Sequence, residues 1–359
     1  MRNIKVSETN PKTVYFTPTG NNESPVSISS KIKSLFKRAG FNELLKKDDF
    51  VALKMHLGEE KKKSFISPVF VKVIVDLVKE AKAKPFVTDT NTLYESQRVN
   101  AVDHLALAAR HGFSYEQLGC PVIIADGLIG ENQVSVPFQG GRIHIAGLVK
   151  RVDVIIALTH CTGHLLTGYG GAIKNIAMGL AGRGGKLDQH SGVKPEIIAS
   201  ACKACEVCIV HCPAEAITLK SGKSYIDKNI CYGCGECFAV CPNRAVKVDK
   251  WHATSDHMQA KMARYCAGIL EDKRAGFINF ATNVTKNCDC VGSPEKSLLP
   301  DVGILASLDP VAIDTASIDL INQKAGKDVF KSAWPEIDYT IQLKESEKLG
   351  AGSRAYKIE

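Results

Sequence analysis

Eight cysteines between Cys202 and Cys241 fall into two runs of one spacing. The first reads C-K-A-C-E-V-C-I-V-H-C-P and the second C-Y-G-C-G-E-C-F-A-V-C-P, each with the pattern C-x2-C-x2-C-x3-C-P. The second repeats the first at an offset of 29 residues, from Cys202 to Cys231. Thiolates two residues apart wrap a short loop around one face of a cubane iron–sulfur cluster. The fourth cysteine starts the next element and reaches the other cluster. The spacing therefore predicts two [4Fe–4S] clusters with crossed ligation. Cys202, Cys205, Cys208 and Cys241 hold one; Cys231, Cys234, Cys237 and Cys212 hold the other. Structural zinc usually draws paired cysteines from two separated knuckles, not four from one run closed by proline. Pro213 and Pro242 fix φ and turn the chain away. The apolar tails 216–219 and 245–248 read as short strands that cover the clusters.

Over about residues 196–250 the chain resembles the two-cluster bacterial ferredoxins. The resemblance implies one-electron transfer at low potential. Cluster potentials span about −700 to +450 mV, so the motif alone sets no value.

The remaining chemistry-bearing residues sit where apolar runs end. Val51–Met55 runs into His56, Phe86–Thr88 into Asp89 and Asn91, and Val122–Ala125 into Asp126. Val152–Leu158 runs into His160 and Cys161, Phe277–Ala281 into Asn283, and Val302–Ala306 into Ser307 and Asp309. In open α/β sheets, ligands bind outside the carboxyl ends of the strands. If these strands are parallel, their tails meet at one edge. His160-Cys-Thr-Gly-His164 is the densest group: it suits a metal, a substrate or a proton transfer, or it is a capped turn. Gly168-Tyr-Gly-Gly-Ala-Ile-Lys174 is glycine-rich before a helix, where backbone N–H groups attract anions and Lys174 adds charge. Cys288-Asp-Cys290 offers two ligands to a separate metal, a redox-active thiol pair, or two buried thiols. His160, Cys161, His164, Cys288 and Cys290 are expected in one cleft, with His56, Asp89, Asn91 and Lys174 lining it, and an additional metal there is one outcome. Cys290 and His160 are expected within about 15 Å of each other.

The elements that must position these groups read as follows. Thr13–Thr17 is a strand. Ser67 caps a helix with Pro68 at its first position. Further helices are expected at about 101–111, 172–180 and 257–271, and from Pro310 to near Gly326 behind Asp309 as cap. Residues 132–146 read as a hairpin or edge ribbon. The near-continuous apolar run 152–158 suits a central parallel strand buried on both faces. Strands alternate with helices on both sides of 196–250. The expected fold is an α/β host domain with a mostly parallel sheet, built from 1–195 and 251–359. It carries an inserted α+β ferredoxin-like two-cluster domain at 196–250.

Several stretches of the host, taken together, resemble one family: K-M-H-L-G-E at 54–59, D-T-N-T-L-Y at 89–94, T-G-Y-G-G-A-I-K-N-I-A-M-G at 167–179, N-C-D-C at 287–290 and L-D-P-V-A-I-D at 308–314. The family is the one named only as domain of unknown function 362. The resemblance implies an iron–sulfur protein and no settled reaction.

The chain has 359 residues, 45% hydrophobic and 23% charged, as in ordinary globular proteins. No run of about 18 apolar residues is present, so no membrane span is expected. The polar start lacks a secretory h-region, and thirteen cysteines without one point to a reducing, cytoplasmic setting. The net charge is +8, with a basic triplet at Lys61-Lys62-Lys63. No aromatics interleave there, so it reads as a solvated loop and not a nucleic-acid surface. The leading expectation is a redox enzyme in which the clusters pass electrons to a site in the host. Its partner is a redox protein or a small-molecule substrate. An electron carrier whose host only docks a partner, and a metal- or cofactor-handling protein, are the alternatives.

Overall fold

The computed structural model describes residues 11–21, 23–62, 64–94, 96–190, 194–212, 214–231, 235–247 and 254–359. Pro213, Cys234 and Val248 therefore lie outside the described residues.

The N-terminal flank opens with strand β1 (Lys12–Pro18), helices α1 (Pro25–Arg38) and α2 (Phe41–Leu44), and strand β2 (Phe50–Lys54). Helix α3 (Pro68–Glu80) follows; Ser67 accepts the Val69 N–H as its cap, with Pro68 in the first turn. Next come β3 (Lys84–Asp89), α4 (Ala101–Arg110), α5 (Tyr115–Leu118) and β4 (Val122–Ile124). A hairpin, β5 (Gln133–Phe138) and β6 (Gly141–Ala146), leads to β7 (Val154–His160). Two short strands, β8 (Thr162–His164) and β9 (Gly168–Gly170), precede α6 (Ala172–Gly179) and α7 (Arg183–His190).

The cysteine-rich segment holds β10 (Glu196–Ile197), α8 (Val207–Val210), β11 (Ile217–Lys220), β12 (Lys223–Ile226), α9 (Glu236–Val240) and β13 (Val246–Lys247). β11 pairs with β12 and β13 with β10, both antiparallel. Ile217, Ile226, Val246, Cys208 and Cys237 form a small core of its own, separate from the host's.

The C-terminal flank adds α10 (Ser255–Leu270), β14 (Arg274–Ala281), β15 (Gly303–Ser307), α11 (Pro310–Ala325), α12 (Val329–Ala333), α13 (Ile341–Lys348) and β16 (Tyr356–Ile358). Both flanks feed one eight-stranded sheet in the order β16-β1-β15-β14-β7-β2-β3-β4. Strands β14, β7, β2, β3 and β4 are parallel neighbours, whereas β15 runs antiparallel to both β14 and β1. The sheet is thus large and mostly parallel.

Alternation along the central strands explains their composition. Val154, Ile156 and Leu158 of β7 enter one core with α1 and α3, while Ile155 and Ala157 enter the opposite core with α6, α10 and α11. A strand covered on both faces cannot alternate apolar with polar residues.

The reversal of β15 overturns one expectation. Ser307 leaves the sheet at the edge opposite the other strand ends, where its hydroxyl donates to the Thr13 carbonyl at 2.8 Å. Asp309 caps α11 there, accepting the Val311 and Ala312 N–H groups at 2.9 Å. Neither joins the site described next.

Candidate functional site

Just beyond the carboxyl ends of β2, β3 and β7 lies a cavity of about 520 Å³. His56, Asp89, His160, His164, Lys174, Cys288 and Cys290 all line it, as expected from the parallel strand ends. Lys54, Arg98, Lys186 and Asp289 line it too, and the strand-end reasoning passed over them. Leucines and methionines such as Leu158, Leu166 and Met178 complete an apolar lining between the charged groups.

The cationic side chains are mostly paired. Lys54, at the end of β2, is buried and lies 3.1 Å from Asp89 Oδ1; it also donates to Asn175 Oδ1 at 2.8 Å. Arg98 Nε lies 3.0 Å from Glu59 Oε2, and its Nη1 lies 3.7 Å from Asp89 Oδ2. Burial would raise the Asp89 pKa, but the Lys54 ammonium and the Arg98 guanidinium hold it below the usual carboxylate range. Lys186 donates to Thr90 Oγ1 and, at 2.8 Å, to the Ala181 carbonyl. Burial pushes the Lys186 amine down to about 8. It also pushes the neighbouring Asp126 carboxyl up to about 7.

Lys174 differs. It makes no hydrogen bond or ion pair among the described residues, and burial lowers its amine to about 8. Asp289 and Asp89 act on it without direct contact, and an ammonium left without a directly paired carboxylate favours an anionic ligand.

Three of the cavity's histidines are held in defined states, His160 charged and His56 and His164 neutral. His160 Nδ1 faces Asp289 Oδ2 at 2.9 Å, and Nε2 faces the Thr282 and Asn283 carbonyls at 3.0 and 3.1 Å. All three partners only accept, so both nitrogens carry protons and His160 is an imidazolium. Burial works against that charge, but Asp289 outweighs it and raises the pKa. With no lone pair left, His160 is not a metal ligand. His164 Nδ1 accepts the Leu166 and Thr167 N–H groups at 3.3 and 3.1 Å. His56 Nδ1 accepts the Gly58 N–H at 3.0 Å. Burial keeps both rings neutral by driving their pKa values well below 6.5. Their protons therefore sit on Nε2, and that of His56 has no partner among the described residues.

Cys288 and Cys290 form a disulfide. Their loop is pinned by Asp289, which accepts the Ser64 hydroxyl at 2.7 Å and pairs with His160. Ligand atoms of His164, Cys288 and Cys290 lie within 4.8 Å of one another, a spacing that one metal ion can span. Cys290 and His160 thus share one site through Asp289.

Two expected members stand elsewhere. Cys161 points to the opposite face of the strand end, packs in the core against Tyr169 (hydroxyl to Sγ 3.4 Å), and burial pushes its thiol up to about 12. Adjacent residues of an extended chain face opposite sides, so His160 and Cys161 cannot both enter the cavity. Asn91 is buried behind the wall, where its side chain donates to Asp126 Oδ1 at 2.9 Å and to the Gly127 carbonyl at 2.8 Å.

The glycine-rich turn does not offer its helix N-terminus to a ligand. The carboxylate of Asp314, from α11, accepts the Ala172 and Ile173 N–H groups at 2.7 and 2.9 Å. A Cβ at Gly171 would lie 2.3 Å from Asp314 Oδ1, so glycine is required for this approach. Nor is the basic triplet wholly solvated. Lys62 is buried and paired with Glu295 at 2.9 Å, helping to hold the Cys288 loop. Lys63 lies outside the described residues.

In the cysteine-rich unit, Cys202, Cys205, Cys208 and Cys241 line one small cavity. Backbone N–H groups point at three sulfurs: Ala204 and Ser224 to Cys202 at 3.5 Å, Ala216 to Cys212 at 3.3 Å, and Ala245 to Cys241 at 3.2 Å. The Ser224 N–H, the largest influence, lowers the Cys202 pKa toward the thiolate. Cys212, Cys231 and Cys237 pack around the unit's core, and Cys234 lies outside the described residues. The unit sits on the host through α9 and α7. The Arg183 guanidinium lies 5.1 Å from the Phe238 ring centroid, and a Cβ at Gly235 would lie 2.7 Å from Leu187.

No helix among the described residues is long and apolar enough to cross a membrane. No curated protein matches the sequence. Among solved structures, the lactate racemase apoprotein from Thermoanaerobacterium thermosaccharolyticum is similar at 13% identity and a TM-score of 0.38, over 76% of this chain and 50% of that one. A structural-genomics protein from Thermotoga maritima is similar at 12% identity and a TM-score of 0.37, over 92% of this chain and 60% of that one. The chain thus spans half to three fifths of the length of these structures. The model of the family described as domain of unknown function (DUF362) matches residues 51–319, most of the chain, so the chain belongs to that family.

Proposed function

We propose that this chain is an iron–sulfur redox enzyme. Cys202, Cys205, Cys208 and Cys241 hold one [4Fe–4S] cluster, and Cys231, Cys234, Cys237 and Cys212 hold the other. Its substrate is a small anionic molecule in the cavity at the strand ends. The cysteines fit such clusters: the first four share one cavity, and N–H groups aimed at Cys202, Cys212 and Cys241 favour thiolates. When bound, the clusters supply single electrons at low potential.

The observation that carries the reading is the seat of α9 on α7. Cys237 lies in α9, and α7 carries Lys186 and His190 into the cavity wall. The cysteine unit and the cavity are therefore neighbours across one helix. Within the cavity, the Lys174 ammonium and the Nε2–H groups of His56 and His164 supply donors for a carboxylate or similar anion. The apolar lining excludes water. Lys174 and Lys186, lowered toward neutrality by burial, are proton donors matched to a substrate that gains electrons near pH 7.

A second reading has one observation in its favour: the proximity of His164, Cys288 and Cys290 suits a thiophilic ion such as zinc when the sulfurs are reduced. The backbone N–H groups on His164 Nδ1 oppose it, because they keep the Nε2 lone pair protonated.

The test follows the oxidation of dithionite-reduced protein by visible absorbance. Small carboxylates with a reducible group are offered as acceptors. A productive acceptor is expected to reoxidise the wild type at least tenfold faster than Lys174→Met, with equal iron in both. Equal rates for every acceptor would remove the cavity from the reaction.

A further inference from the structure

We propose that the Cys288–Cys290 disulfide is a redox centre, taking up electrons singly from the cysteine-rich unit and passing them on as a pair. The inference deepens the preceding reading and rests on it. Three observations carry it. First, the disulfide is a partition. Cys290 lines the inner cavity and also a separate outer cleft of about 790 Å³, and Arg244 of the cysteine-rich unit lines that same cleft. Arg244 follows the cluster cysteine Cys241 by three positions, so this unit reaches the outer side of the partition while the cationic cavity occupies the inner side.

Second, the bond has little structural work. It joins residues two apart in sequence, and closing so short a loop scarcely restricts the unfolded chain. The loop is instead held by side chains: Ser64 and His160 bind Asp289, Lys62 and Asn287 bind Glu295, and the Tyr94 hydroxyl donates to the Cys290 carbonyl at 3.3 Å. With the backbone secured independently, the sulfur–sulfur bond can open without the loop being lost.

Third, the surroundings suit the reduced form. Opening the disulfide leaves negative charge on sulfur; the His164 ring lies beside the two sulfurs, and the Lys174 ammonium lines the same cavity. The balance is simple. The S–S bond would gain two electrons, one from each cluster that the eight cysteines would hold and that a redox-protein donor would recharge, and two protons from the cavity's ammonium groups, which recover them from solvent. Two thiols result. The two thiols then give two electrons and two protons to the reducible group of the bound carboxylate, whose reduced form leaves as the disulfide re-forms.

The test uses the full chain prepared anaerobically. Clusters are followed by electron paramagnetic resonance, and the state of Cys288 and Cys290 by acid quench, alkylation and peptide mass spectrometry. Before reduction the peptide is expected as the disulfide, and after dithionite it is expected with both sulfurs alkylated. Reductive titration should take about four electrons per chain in the wild type and about two in Cys290→Ser, the difference being the disulfide's pair. Reduced clusters with an intact disulfide, or equal electron counts in the two proteins, would overturn the relay and leave the cluster reading standing. Thiols already present in the oxidised protein would also overturn it. A preparation with no cluster signal and no labile sulfide would fail both, and is told apart by the resonance spectrum alone.

Discussion

At the scale of the residue, the site is defined by where protons sit. His160 cannot be neutral, because each ring nitrogen faces only acceptors. Asp289→Asn leaves that charge buried without its anion and is expected to cost about 3–5 kcal/mol. The pH window follows from the two shifts. Asp289 is depressed below 3.8, so its stabilisation is present above about pH 4 and lost on acidification through the folded value. His160 is raised above 6.5, so its stabilisation is present below that pH and lost as pH rises through the folded value. Urea unfolding of both proteins at pH 6 measures the difference; a loss under about 1 kcal/mol would mean that no buried ion pair exists. Lys174 behaves oppositely. Its amine is lowered from 10.5 to about 8, so below pH 8 the folded state carries a charge that the unfolded chain solvates better. Lys174→Met is therefore expected to be more stable than wild type at pH 7, by on the order of 1–3 kcal/mol, with the gain fading toward pH 10.5. The same substitution should abolish anion binding. Wild-type affinity for a carboxylate, by calorimetry, should fall as pH rises past about 8, because the deprotonated amine no longer attracts it.

At the scale of the element, helix α6 is the part of the scaffold that aims Lys174 and Asn175 into the site. It has no side-chain cap of its own, and the Asp314 carboxylate from α11 performs that task across the core. Asp314→Ala removes a charged acceptor from two backbone donors and is expected to cost about 2–3 kcal/mol. Hydrogen exchange at Ala172 and Ile173 should quicken together; unchanged exchange there would argue that α6 is held by packing alone. This cap also shows what the sequence can and cannot tell. The strands ending at His56, Asp89 and His160 were legible, because an apolar run followed by polar residues is a local pattern. So were the capped helix at Ser67 and the hairpin of β5 and β6. The direction of β15 was not, since an apolar run has the same composition either way up. Nor was the choice between His160 and Cys161, which depends on which face of one strand end looks into the cavity. Arg98 and Lys186 carried no local signal, for they reach the site only through tertiary packing of a loop and of α7. Lys54 offered one that went unused: a lysine ending an otherwise apolar strand must be paired.

At the scale of the whole molecule, two flanks build one sheet and the cysteine-rich unit rests on it through a narrow seat. Gly235 sits in that seat at φ 75°, against Leu187 and Gly184. Gly235→Val would both strain the backbone and drive a side chain into α7. It is expected to loosen the unit from the host, increasing proteolysis between residues 194 and 254 while the host sheet stays folded by circular dichroism. Loss of the host fold instead would mean that the two cores, separate in the structure, unfold as one.

The central claim is that the eight cysteines hold iron–sulfur clusters. Anaerobically prepared protein, analysed for metal and acid-labile sulfide, should contain about eight irons and eight sulfides per chain, and a reduced sample should give the paramagnetic signals of two interacting four-iron clusters. About two zinc ions per chain with no labile sulfide would contradict it.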